Sequence, residues 1–169
     1  MNNIILTFCG GLVPLLIGFI WYSDKALGLA WKKEIGFVDN GEKPKGLGKI
    51  LGFSYLFGVM VMFFMPALVI HQYHMVSTLY GTEGFGIEGS AVQQFYNEFV
   101  SQHGMKFRTF KHGALHGVIT AMFFVFPIIG LNALFENKSF KYIFIHVGYW
   151  MLTLGIMGGL ACAFHQISI

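Results

Sequence analysis

The sequence predicts an all-α integral membrane protein, a four-transmembrane-helix bundle with a short amphipathic helix in an outward loop. Three observations lead there. The chain of 169 residues is 55% hydrophobic and only 11% charged, where an ordinary soluble domain carries roughly 25% charged residues. It contains four long apolar runs without Asp, Glu, Lys or Arg at their centres, each near the ~20 residues that a helix needs to cross a bilayer. Its basic residues are shared unequally between the connecting loops. The length suits one membrane domain over residues 1–169.

The first span runs over residues 4–22 and has no charge. It lacks a basic leading region and a small-residue cleavage site, so it reads as a retained span and not a removed signal peptide. The second, Ile50 to Ile70, continues through His71 and His74 to Met75, giving an expected helix over 50–75. The third covers 113–135 with His116 inside it, and the fourth covers 142–164 with His146 inside it. Backbone groups in lipid must be satisfied within the segment, which makes runs of this kind helices.

Between the second and third spans lies an outward loop, residues 76–111. Ser90 and Gln93 have capping-box spacing. Val92, Phe95, Tyr96, Phe99 and Val100 follow at helical spacing. An amphipathic helix over about 90–103 is expected, lying on the membrane or capping the bundle. Gly81, Gly84, Gly86 and Gly89 form its flexible approach.

Orientation follows from the lysines and the single arginine. Loops one and three carry eight of them: Lys25, Lys32, Lys33, Lys43, Lys45, Lys49, Lys138 and Lys141. The loop between carries three, Lys106, Arg108 and Lys111. The positive-inside rule puts the richer loops in the cytoplasm and both termini outside. Trp21, Tyr22 and Trp31 then suit the cytoplasmic interface. Loop-borne lysines without a basic, aromatic-interleaved patch give no nucleic-acid signal, despite a net charge of +3.

Small residues recur at helix-packing spacing: Gly113 with Gly117, Gly155 with Gly159 beside Gly158, and Gly11 with Gly18. They permit close helix approach, within one chain or between copies. A faint duplication places Pro14 and Lys25 at the same offset as Pro127 and Lys138. Chance similarity between apolar helices explains it equally well.

Several segments taken together, Gly18-Phe-Ile-Trp-Tyr-Ser, Gly28-Leu-Ala-Trp31, Asn132-Ala-Leu-Phe-Glu136-Asn-Lys-Ser139, Gly148-Tyr-Trp and Met157-Gly-Gly, resemble a family of small four-helix bacterial membrane proteins known as domain of unknown function 1761. The motifs cover about half the chain. The resemblance implies a multi-pass protein of the bacterial inner membrane. It implies no activity, and it is silent about the outward loop and its histidines.

The threading gathers six of the seven histidines at one membrane face: His71, His74, His103, His112, His116 and His165. His71 and His74 are three apart, and His112 and His116 four apart, so each pair shares a helical face. Helical His pairs at i, i+4 are a known metal-binding arrangement. Imidazole suits zinc, copper and haem iron, and a four-helix bundle is an ordinary frame for such sites. The candidate ligands are His71, His112 and His116, with His74 and His165 in reserve. Cys9 and Cys162 lie at similar depth and could join them. The plainer reading has the histidines bonding loop carbonyls and open helix ends.

Elsewhere the polar residues promise less. Asn132 is expected to bond a neighbouring helix, and His146 a headgroup or Glu136. Met60, Met62 and Met65 read as packing. No charged residue lies at mid-depth in a span, which disfavours a pump or an ordinary proton-coupled transporter. HExxH, CxxC and CxxCH are all missing, and so is any defensible Ser-His-Asp order, so an enzyme is not expected. The leading expectation is a non-enzymatic homo-oligomer or accessory subunit, partnered by the lipid bilayer and by other membrane proteins. The alternative is a protein holding a transition metal or haem at its outer face, and the third a small-solute channel or transporter.

Overall fold

A computed structural model describes residues 2–38, 41 and 46–167. Lys43 and Lys45, two of the eight basic residues that set the orientation, lie outside the described residues. The chain forms helices α1 (Asn3–Gly10), α2 (Val13–Trp21), α3 (Gly28–Glu34), α4 (Leu47–Val69), α5 (His71–Leu79), α6 (Ala91–His103), α7 (Phe110–Thr120), a π-turn (Ala121–Val125), α8 (Phe126–Phe135) and α9 (Phe140–Phe164), with no strand among the described residues. Four stretches are long and apolar enough to cross a membrane: Asn3–Trp21, Leu47–Val69, Phe110–Phe135 and Phe140–Phe164.

Two of the four are interrupted ahead of a proline, which offers no N–H to the preceding turn. Pro14 stands in the first turn of α2, just after the irregular step at Gly11 and Leu12. There the Tyr55 hydroxyl donates to the Phe8 carbonyl at 3.2 Å. Pro127 follows the π-turn, whose widened ladder has Phe126 N–H donating to the Ala121 carbonyl. The two prolines of the faint duplication therefore hold like positions, each opening the second half of an interrupted span.

Helix α9 is the centre of the bundle. Half of its apolar window is buried, against 11% for the α7–α8 span. Its partner α7 lies backbone against backbone: a Cβ on Gly113 would strike the Gly158 carbonyl, and one on Gly117 the Leu154 carbonyl. The small-residue pairs are thus used inside the chain. Gly58 of α4 meets the Gly11 carbonyl in the same way. Met62, Met65, Leu154, Met157 and Cys162 fill the space between, so Met62 and Met65 are packing as expected, whereas Met60 is exposed on the outside of α4.

Two boundaries differ from expectation. The second span ends at Val69 and not at Met75, because Ile70 is extended (φ −112°, ψ 105°) and a separate helix starts at His71. Pro66 lies in the last turn of α4 and weakens that turn. Second, the first loop contains α3, which sequence periodicity did not indicate. Gly28 lies so close to the Tyr22 and Ser23 carbonyls that a Cβ has no room there. The helix expected between the second and third spans is present as α6, with Ser90 Oγ accepting from Gln93 N–H at 3.2 Å. Only half the capping box forms, since Gln93 Oε1 accepts instead from Gly86 N–H at 2.8 Å.

Candidate metal centre

The break at Ile70 determines where His71 goes. As the first residue of α5, it faces the start of α7 across the mouth of the bundle. Thr109 caps α7 by accepting from His112 N–H at 3.2 Å. From that cap, His112 and His116 project four residues apart on one helical face. One ring nitrogen from each of His71, His112 and His116 lies within 4.8 Å of the others. His71 Nε2 and His112 Nε2 are 2.9 Å apart, so one donates and the other accepts. Ring centroids are separated by 5.1 Å for His71–His112, 5.1 Å for His71–His116 and 4.6 Å for His112–His116.

That spacing is near what a metal requires. Zinc–nitrogen bonds of about 2.0–2.1 Å in a tetrahedron separate the nitrogens by roughly 3.3 Å. The His71–His112 pair would open by a few tenths of an ångström, and His116 would close in. The described residues bring no carboxylate or thiol into the cluster. A bound dication would keep its positive charge, leaving its open position to water, hydroxide or a small anion.

A strained turn roofs the triad. Phe107 has φ 64°, a left-handed conformation unfavourable for an aromatic residue. Its ring stacks on His112 at 5.0 Å and 18°, and meets His71 edge-on at 5.9 Å. Neighbouring side chains clamp the turn on both sides. Gln72 Nε2 donates to the His103 and Lys106 carbonyls at 2.8 and 2.9 Å. Arg108 Nε donates to the Cys162 carbonyl at 2.8 Å, and its Nη2 to the His165 carbonyl. Arg108 thereby satisfies the open end of α9. Burial pulls its guanidinium below the usual arginine range.

The remaining sequence candidates do not join. His74 is exposed on α5, where its carbonyl accepts from the Ser77 and Thr78 hydroxyls. It still shares α5 with His71, three residues on as expected, but the ring-nitrogen cluster does not include it. His165 pairs with the Tyr73 hydroxyl at 3.3 Å. Burial, and then Arg108, lower its basicity. His103 packs against Phe99 on α6. Cys9 is exposed, while Cys162 is buried and donates to the Phe107 carbonyl at 3.3 Å. Both thiols are free and outside the triad, so they do not converge with the imidazoles.

At the opposite end of the bundle, His146 bonds Tyr22 and not Glu136. The Tyr22 hydroxyl lies 2.8 Å from His146 Nδ1. Tyr142 crowds the imidazole at a ring distance of 4.4 Å. Burial, with Tyr149 and Tyr142 nearby, pushes the Tyr22 phenol well above its ordinary range. Trp21 Nε1 donates to the Ile145 carbonyl at 3.0 Å, and Ser139 Oγ donates to Glu34. That hydroxyl holds the partly buried Glu34 carboxyl below its ordinary range, with Lys141 adding to the effect. Asn132 is exposed beside Glu136, Tyr142 and His146, and does not face into a helix interface as expected.

Sequence reasoning missed Phe107, Gln72 and Arg108 as supports of the triad. Gln72 left a signal, a polar residue between two histidines at the end of an apolar run. Phe107 left none, since nothing in the chain marks a left-handed phenylalanine.

The chain belongs to a protein family of unknown function, DUF1761, whose model matches residues 5–162. The match extends well beyond the half that carries the recognisable motifs, and its limits enclose the outward loop. No curated protein and no solved structure is detectably similar to the chain.

Proposed function

We propose that this DUF1761 protein is a multi-pass membrane protein that holds one transition-metal ion, zinc or copper, at the outer end of its four-helix bundle. One observation carries the reading: ring nitrogens of His71, His112 and His116, from two separate helices, lie within 4.8 Å of one another. Three imidazoles with an open fourth position suit zinc and copper. A single ion fits better than haem, because two axial haem ligands approach iron from opposite faces, whereas these nitrogens converge on one point. The uneven lysine distribution supports an outward site with both termini on the same side, and the family resemblance supports the bacterial inner membrane. The proposed role is binding and not catalysis.

The reading as a homo-oligomeric or accessory subunit rested on the glycine faces. Those of α7 and α9 are used between helices of one chain, so they no longer favour association between copies. A channel or transporter has no observation in its favour.

The test is metal analysis of the full chain purified in mild detergent. After incubation with zinc or copper and removal of excess, about one ion per chain is expected, and cobalt should give the visible bands of a four-coordinate site. His112→Ala and His116→Ala should each weaken binding by at least about 100-fold, as loss of a ligand exceeds loss of a supporting group. Protons compete for the same lone pairs, so affinity should fall as pH drops from about 7.5 to about 5.5. Wild-type protein with no stoichiometric metal, or with binding equal to that of the double variant, would sink the reading.

A further inference from the structure

A second site lies beside the triad and does not depend on it. Between α6, the clamped turn and the end of α9 is a cavity of about 630 Å³. Gln72, which is 6% exposed, lines it. Both bonds from Gln72 Nε2 go to backbone carbonyls, so the amide cannot be flipped and Oε1 is the acceptor. That buried Oε1 has no partner among the described residues. His165 Nδ1, on the same cavity, is also buried and unpartnered.

These atoms specify complementary needs. Gln72 Oε1 wants a donor. The Tyr73–His165 contact fits either tautomer; the one in which the hydroxyl donates to Nε2 puts the ring proton of a neutral His165 on Nδ1, which then wants an acceptor. Burial and the adjacent Arg108 favour that neutral form. Arg108 also lines the cavity and has five N–H donors. Two of them are spent on the Cys162 and His165 carbonyls, leaving three for a ligand. A ligand that accepts from a guanidinium and an imidazole N–H, and donates to a carboxamide oxygen, is an anion bearing a hydroxyl. Phe164 and Ile167 supply apolar wall, and the site stands at the end of an apolar helix long enough to cross a bilayer, the level of lipid headgroups.

We propose that this cavity binds a hydroxyl-bearing phosphate ester: the headgroup of a phosphatidylglycerol-type lipid, or its soluble counterpart, glycerol phosphate. Arg108 and His165 hold the phosphate oxygens, and Gln72 Oε1 accepts from the hydroxyl.

The test titrates the purified full chain with short-chain phosphatidylglycerol, short-chain phosphatidylcholine and glycerol phosphate, in chelator so that the triad stays metal-free. Phosphatidylglycerol should bind saturably, at least about tenfold more tightly than phosphatidylcholine, the worth of one good hydrogen bond. Ala163→Phe, which fills the cavity from its wall, should abolish binding. His165→Ala should weaken it by about tenfold. Glycerol phosphate binding as tightly as the lipid, and lost in the same variants, would support the same chemistry with a soluble source. Circular dichroism and gel filtration check both variants. If Ala163→Phe fails to fold, His165→Ala decides. No saturable binding of either phosphate ester, or binding indifferent to the substitutions that fold, overturns the proposal and leaves the cavity to water.

Discussion

Among the described residues each end of the bundle has one non-glycine residue with a left-handed backbone, and the two could hardly differ more. At the end holding Tyr22 and His146 it is Asn137, φ 53°, directly after α8. Asparagine tolerates that conformation and commonly ends helices in it. At the other end it is Phe107, φ 64°, which has no such tolerance. The histidines differ in the same sense. His146 has a phenol on Nδ1 and tyrosine rings around it, and its Nε2 is buried without a partner among the described residues. His71, His112 and His116 turn their nitrogens toward one another, with two of them intermediate in burial and one exposed. A left-handed aromatic backbone and converging, partly open imidazoles coincide at one end only. Such coincidence is characteristic of sites that bind something.

Both ends hang on the same α7–α9 contact, so the comparison breaks first there. Gly117→Val would force a side chain into the Leu154 carbonyl. The cost should be at least about 3 kcal/mol, the upper range for overpacking, because backbone cannot move aside as a side chain can. Thermal unfolding in detergent should show a large fall, with metal binding and tryptophan fluorescence lost together. Gly130→Ala, in the same span with nothing within 4 Å of an added Cβ, is the control and should change stability by less than about 1 kcal/mol. Were one end to survive Gly117→Val intact, the two would be independent units.

The fold was readable where long apolar runs dictate it. Four apolar runs became four long helices with ends shifted by a few residues, and the amphipathic pattern at Val92–Val100 became α6. What escaped were local events with no compositional mark. The extended Ile70 is one β-branched residue in an apolar run, with Pro66 the only hint that the helix falters there. That single residue separates both His71 and His74 from α4, and of the two only His71 reaches the pair on α7. The pair His112–His116 was legible because helical spacing alone brings it together. Its meeting with His71 followed from threading, while the roof of the triad depended on a backbone conformation that no residue type announced.

At the Tyr22–His146 end the expected effect is smaller. Tyr22→Phe and His146→Phe each remove one partner of the 2.8 Å contact. Either change alone should destabilise by roughly 1–2 kcal/mol, since the group left behind is buried and unsatisfied. The double variant should recover about 1 kcal/mol of the summed loss, the coupling expected for residues in contact. Metal binding should be untouched in all three. Reduced metal content in His146→Phe would mean that the ends communicate, and would remove the contrast between them.

The finest test concerns Phe107, where strain and function are proposed to offset each other. Phe107→Asn keeps the left-handed backbone but supplies a residue that tolerates it, which should return about 1 kcal/mol of conformational strain. It also removes the ring stacked 5.0 Å from His112, worth about the same for an aromatic pair. The two contributions nearly cancel, so thermal stability should move by less than about 1 kcal/mol in either direction. Metal affinity has no such compensation. Without the ring, His71 and His112 gain rotamer freedom that must be lost again on binding, which predicts a few-fold weaker complex with an unchanged ligand set. Unaltered affinity would make Phe107 a structural accident. A stability loss well beyond 1 kcal/mol would show that the ring holds the turn in place, with Gln72 and Arg108 secondary to it.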